Sequence, residues 1–464
     1  MLNKELWFDY ATDLHLELLQ AEDEGKDVKG FDEKVKQIQD MDPRDSQREL
    51  QAAAILDEIA ALPIKIDYQY SEPSHLDGIK AERPNSGKKL NFAPSNLTDD
   101  GLFDKVYGAW LGRCSGCLLG KPIEGWHRER VTGLLKETEN YPINRYVSSA
   151  ISEELRKKFE VIDTTDPYGN AQQSWINNVN YMPEDDDTNY TIIGLKILEQ
   201  YGPGFTPDDV AQIWLANLPI LHTFTAERVA YKNLVNMIYP PKSAGFRNIY
   251  REWIGAQIRA DFFGYITPCN PALGAEMSWR DASISHLKNG IYGEMFVAAM
   301  LSAAAAIDDI EEIIEYGLSQ IPEKSRLTEA VRKVLKWKKE GLHWKQAIDS
   351  VHQTYTEKLS HDWCHTISNA IIVCIALIYG ESDFEKSIGI AVMSAFDTDC
   401  NGATVGSIIG MVKGAKALPS KWIQPLNDQL RSGVDGFGLV RISDLAKRTL
   451  DISKEVSKYL KRQL

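Results

Sequence analysis

Cysteine is scarce in this sequence, with six in 464 residues. That is too few for a disulfide framework and suits a reducing compartment. Long hydrophobic runs are also missing. The longest, Met295–Ile307 (broken by Ser302) and Ile371–Tyr379, fall short of the roughly 18–20 residues needed to cross a bilayer, so no membrane partner is expected. The opening residues, Met1 to Asp9, lack a basic segment leading into an apolar one, and a cytoplasmic location is the simplest expectation. Positive charge is in deficit: 52 Lys and Arg face 66 Asp and Glu, a net −14. A surface of that sign repels phosphate backbones, which argues against a nucleic acid polymer as partner. The deficit is concentrated at the start, where residues 1–100 hold 12 basic and 22 acidic side chains. Strand-like alternation is sparse, and no Gly-x-Gly-x-x-Gly or Walker sequence stands between a strand and a helix.

What is present is a soluble globular mixture, 43% hydrophobic and 25% charged. Trp7, Tyr10, Leu14, Leu18 and Ala21 repeat at helical spacing, as do Val28, Phe31, Val35 and Ile38. Asp42 before Pro43 reads as the cap of a third helix running to Leu62. Residues 1–62 are therefore expected to form a small helical appendage. Residues 63–97, rich in Pro and Gly, read as a linker. Thr98 followed by Asp99 and Asp100 caps the start of the main body, 98–464. Helical periodicity then recurs from 188 to 417, which gives an all-α body with a long irregular insertion at about 126–182.

Two acidic segments could carry chemistry. Glu184, Asp185, Asp186 and Asp187 stand directly before the helix-patterned Thr188–Leu198. Adjacent carboxylates repel unless a cation neutralises them, and hard cations take oxygen ligands, although an acidic helix cap needs only one or two acids. Asp397, Thr398, Asp399, Cys400 and Asn401 read as a turn ahead of a glycine-rich helix starting near Ala403. Glycines recur every fourth residue at Gly108, Gly112, Gly116 and Gly120, and again at Gly402, Gly406, Gly410 and Gly414. Each costs roughly 1 kcal/mol in a helix interior, so close approach of the two stripes is the available compensation, with two unrelated packing contacts as the alternative. If the stripes pack on each other, an antiparallel direction is expected because it gathers the acids at one end. That arrangement would place Glu124 beside Asp397 and Asp399. Cys114-x-x-Cys117 reads as a packed thiol face. His361-x-x-x-His365 lacks the glutamate of a zinc protease, and a histidine lining a polar pocket is expected there.

Taken together, Asp104–Gly112, the run from Gly120 through Lys121 and Pro122 to Glu124, Asp185–Thr188, His286 with Asn289–Gly293, and Asp397–Thr404 resemble the ADP-ribosylglycohydrolase family. This is the group that contains the dinitrogenase-reductase-activating glycohydrolase. The resemblance covers about 103–430. It implies an all-α fold holding two divalent cations, Mg²⁺ or Mn²⁺. Carried onto this chain, the metal ligands become Asp185, Asp186, Asp187, Asp397, Asp399 and Cys400, and Glu124 the catalytic acid/base. His286, Asn289, Tyr292 and His365 are the candidates for the ribose and base pocket. The implied activity is hydrolysis of a ribosyl C1″–N or C1″–O bond, with ADP-ribose on a protein or small molecule as the leading substrate. Two alternatives are a nucleoside or small riboside hydrolase, favoured if Arg113 and the insertion narrow the pocket, and a non-catalytic ADP-ribose- or metal-binding module. The appendage is expected to be dispensable for chemistry.

Overall fold

A computed structural model of the protein describes residues 7–84, 97–163 and 174–463. Parts of the expected linker (85–96) and insertion (164–173) lie outside the described residues. The fold is all-α. Among the described residues the only paired strands are Gln429–Ser432 and Gly438–Arg441, an antiparallel ribbon too short to show alternation in sequence.

The first helices are Leu14–Asp23, Asp32–Gln39 and Ser46–Ala60. The third is capped by Asp45, whose carboxylate accepts from the Gln47 N–H, rather than by Asp42. Asp42 is instead turned onto Arg44 at 2.9 Å. The stretch read as a linker is bound to the body. It includes a short helix, Leu76–Ala81. The Pro73 carbonyl accepts from the Tyr292 hydroxyl at 2.5 Å, and the Ser74 carbonyl accepts from the Trp279 indole at 2.9 Å. Its prolines and glycines signal the lack of long helices, not the lack of contacts.

The body is built on helices whose residues are nearly all apolar, small or internally hydrogen-bonded. Lys288–Ala304 is buried from Asn289 onward, and Thr366–Gly380 is buried throughout. Both pack against the second glycine helix, Thr398–Lys413, which in turn lies along the first, Asp99–Gly120. These last two form the tightest contact of the molecule. A Cβ built on Gly112 would lie 2.0 Å from the Gly406 carbonyl oxygen, one on Gly116 1.9 Å from that of Gly402, and one on Gly108 2.5 Å from that of Gly410. Residue numbers rise on one helix as they fall on the other, so the crossing is antiparallel, the direction expected from the acids at its end. Only glycine allows backbones this close, and the contact recovered along the ridge offsets the helix propensity given up.

Candidate active site

The antiparallel crossing decides what meets at its end. The Thr398 hydroxyl donates to the Gly120 carbonyl at 2.9 Å, tying the start of the second glycine helix to the end of the first. Beyond Gly120 the chain tightens into one 3₁₀ turn, Lys121–Ile123, with Pro122 inside it, and delivers Lys121 and Glu124. On the facing helix Asp397 occupies the N-cap, and Asp399 and Cys400 lie in the first turn. The helix thus begins at Thr398, ahead of the expected Ala403, because carboxylates in a first turn complement the positive end of the helix dipole. A third element, Asp186–Tyr201, starts at the same place, with Asp185 capping it by accepting from the Asp187 N–H at 2.9 Å. Two helix N-termini therefore converge on one acidic centre.

Its electrostatics are unbalanced. Lys121 Nζ is 2.8 Å from Glu124, 2.9 Å from Asp185 and 3.1 Å from Asp399. Arg113, fully buried, pairs with Asp187 at 3.0 Å and Asp261 at 2.8 Å. Three buried carboxylate oxygens, Asp187 Oδ2, Asp397 Oδ1 and Asp399 Oδ1, have no hydrogen-bond partner. Burial, reinforced by neighbouring carboxylates, pushes Asp186, Asp187 and Asp397 well above the usual carboxylate range. Such a cluster holds its charge only with added cations. Two groups offer ligand atoms within 4.8 Å of one another: Cys117, Asp185, Asp187 and Asp399, and Asp397, Asp399 and Cys400. Burial raises the Cys117 and Cys400 thiols well above their ordinary value, and each is a soft atom beside carboxylate oxygens. Burial and the Asp399 charge raise Glu124 to about 7 against the pull of Lys121.

The centre opens into a cleft of about 650 Å³ that takes in Lys121, Glu124, Asp185, Asp186, Asp397 and Cys400. Sequence reading missed several of its other residues. Glu184 and His222 are hydrogen-bonded to each other, which lowers the carboxyl and raises the imidazole. Glu227 sits 2.8 Å from the buried Arg259. Trp7, Phe224 and Trp363 complete an aromatic part of the wall. Lys121 and Glu184 stand inside motifs already quoted from the sequence, and what sequence did not give is their contacts. His222, Glu227 and Phe224 carry no local pattern.

The four expected pocket residues are not in this cleft. His286 is fully buried with Ser285 on its Nδ1 at 2.8 Å, and burial holds it well below its ordinary value. Asn289 donates to Glu72 and Glu252, and Tyr292 to the Pro73 carbonyl. His365 lines a separate pocket of about 240 Å³ with Asp23, Arg326 and His361. Asn289 and Tyr292 tie the 72–73 segment to the body, and His365 caps its own helix. The Asp23–His361–His365 group is poorly suited to a metal, because His365 Nδ1 accepts the Ile367 N–H at 3.1 Å. That leaves the ring proton on Nε2 and no free lone pair. Neither Arg113 nor any described residue of 126–182 lines the cleft, so the narrowing that would favour a small riboside is not found.

The sequence model of the ADP-ribosylglycohydrolase family matches residues 98–456. The chain therefore belongs to the ADP-ribosylglycohydrolases, hydrolases that act on glycosidic bonds. One solved structure, an ADP-ribosylglycohydrolase-related protein complex, is similar at 18% identity, covering 77% of this chain and 99% of that one, with a TM-score of 0.48. No curated protein matches the chain. The appendage lies outside the matched region.

Proposed function

We propose that the protein removes ADP-ribose from a protein or small molecule by hydrolysing the ribosyl C1″–N or C1″–O bond. The observation that carries this reading is the set of unpartnered buried oxygens on Asp187, Asp397 and Asp399, with Glu124 beside them at the cleft. The donor set fits two Mg²⁺ or Mn²⁺ ions held by Asp185, Asp186, Asp187, Asp397 and Asp399, with Cys400 adjacent. When bound, such ions orient ribose hydroxyls and acidify water.

The chain's own residues do the rest. Departure of the leaving group generates an oxocarbenium-like ribose, which the surrounding carboxylates stabilise. A water oxygen adds to C1″ as the C1″–N or C1″–O bond breaks. Glu124 accepts the water proton and returns it to the departing nitrogen or oxygen. Glu124, a carboxyl lining the cleft, is placed to take a proton and give it back. Lys121 holds Glu124 from one side, while 34% of the Glu124 side chain stays exposed toward the cleft.

The test is a panel of ADP-ribosyl-arginine, ADP-ribosyl-serine, O-acetyl-ADP-ribose and free nucleosides, with Mg²⁺ or Mn²⁺ and after chelation. Cation-dependent release of ADP-ribose is expected. Turnover of nucleosides alone, or full activity after exhaustive chelation, contradicts the reading.

A further inference from the structure

Trp7 lies more than ninety residues before the start of the family match at residue 98, yet its side chain lines the cleft. It is fixed there from several directions. Its ring meets Phe224 edge-on, with centroids 5.9 Å apart and planes at 70°. The Arg228 guanidinium lies 5.0 Å from the Trp7 ring and 5.6 Å from those of Phe8 and Phe224. Lys232 donates to the Phe8 carbonyl at 2.8 Å, and Glu49 accepts from the N–H groups of Tyr10 at 2.7 Å and Ala11 at 3.2 Å. Trp7 also holds a left-handed φ of 54°, which a bulky side chain keeps only where its surroundings over-determine it. Phe224 remains 41% exposed.

The chemistry of the wall selects its occupant. Of the cations in the cleft, Lys121 is committed to three carboxylates and His222 is bonded to Glu184, so neither offers the aromatic wall a donor for a phosphate. A cationic group is disfavoured as well, because the Arg228 guanidinium beside Trp7 and Phe224 repels it. An uncharged flat ring meets neither obstacle and gains by stacking. Resting on the glycohydrolase reading, we propose that Trp7, Phe224 and Trp363 form a subsite for a planar, uncharged heteroaromatic ring of the nucleobase class. The appendage is then a specificity element, against the expectation that it is dispensable.

The experiment measures binding of ADP-ribose and of ring-less ribose 5-phosphate to the full-length protein with Mn²⁺ by calorimetry. Trp7→Ala should weaken ADP-ribose binding about 5- to 100-fold, the range for loss of one base–aromatic stack, and leave ribose 5-phosphate unchanged. Trp7→Phe should restore most of the loss, and the exposed Phe224→Ala provides a second variant if Trp7→Ala does not fold. ADP-ribose binding by both alanine variants at wild-type strength overturns the subsite alone, and so does equal weakening of both ligands. Failure of the wild type to bind ADP-ribose overturns the function reading and the subsite with it.

Discussion

Two of the buried carboxylate clusters among the described residues make a useful pair, because one is internally satisfied and the other is not. Where the appendage meets the body, Glu17, Glu24, Glu72 and Glu252 are buried among Arg251, Arg326 and Lys288, with Gln20 and Asn289 as further donors. Every oxygen of those four glutamates accepts at least one hydrogen bond. At the ends of the glycine helices the acids outnumber the cations, and three buried oxygens accept none. Counting acids does not separate the two; satisfaction does. A closed network holds elements together, whereas an open one is held together only when something else binds.

The comparison breaks most sharply at Glu124. Glu124→Gln should keep metal binding and lower kcat about 10²–10⁴-fold, because the amide keeps the shape but accepts no proton. A loss of only about twofold in single-turnover assays would place the proton transfer elsewhere.

The closed network should respond in the opposite sense. Arg326→Met strips Glu72 and Glu252 of their shared guanidinium, at 2.9 and 2.6 Å, and leaves buried charge uncompensated. A loss of about 3–5 kcal/mol in denaturant unfolding is expected, with metal affinity unchanged. A variant that lost metal binding without losing stability would merge the two clusters into one.

Glu252 gives that cluster a pH signature. Burial alone would raise its carboxyl, but Arg326, His365 and Lys288 outweigh burial and hold it well below its ordinary 4.5. A depressed carboxyl stabilises the fold above its unfolded value and loses that contribution as pH falls through its folded value. The stability gap between wild type and Glu252→Gln should therefore be widest near neutrality and shrink as the pH drops below about 4.5. A gap constant with pH would mean that the charge contributes nothing.

The smallest effect concerns ligand-linked stability. Mn²⁺ at a hundredfold excess over its Kd should stabilise the wild type by about 2.7 kcal/mol, and Asp397→Asn should reduce that gain. Equal thermal shifts in the two proteins would remove Asp397 from the ligand set.

How much of this was legible in sequence follows from locality. The glycine stripes and the acidic runs are contiguous, and their steric and charge requirements can be read without knowing the fold. The antiparallel contact of the two stripes, seen at Gly112 and Gly406, was expected from the glycine spacing together with the need to gather Glu124, Asp397 and Asp399. Lys121 lay inside a recognised run, but nothing local says that its ammonium reaches Asp185 and Asp399. His286, Asn289 and Tyr292 were misplaced because a polar patch on an apolar helix looks the same whether it faces a ligand or a neighbouring helix. Trp7 reads from its spacing as the start of a helix stripe, although the helix begins at Leu14. The closing helix, Ile442–Gln463, went unread beyond the last periodic segment at 417, although its opposed apolar and charged faces are present in sequence.

The central claim is that the open carboxylate cluster holds divalent cation. Anomalous diffraction from crystals soaked in Mn²⁺ tests it most directly. The account predicts density within ligand distance, roughly 2–2.5 Å, of oxygens from Asp187, Asp397 and Asp399. Saturating Mn²⁺ with no anomalous peak there, and those oxygens still unpartnered, would contradict it.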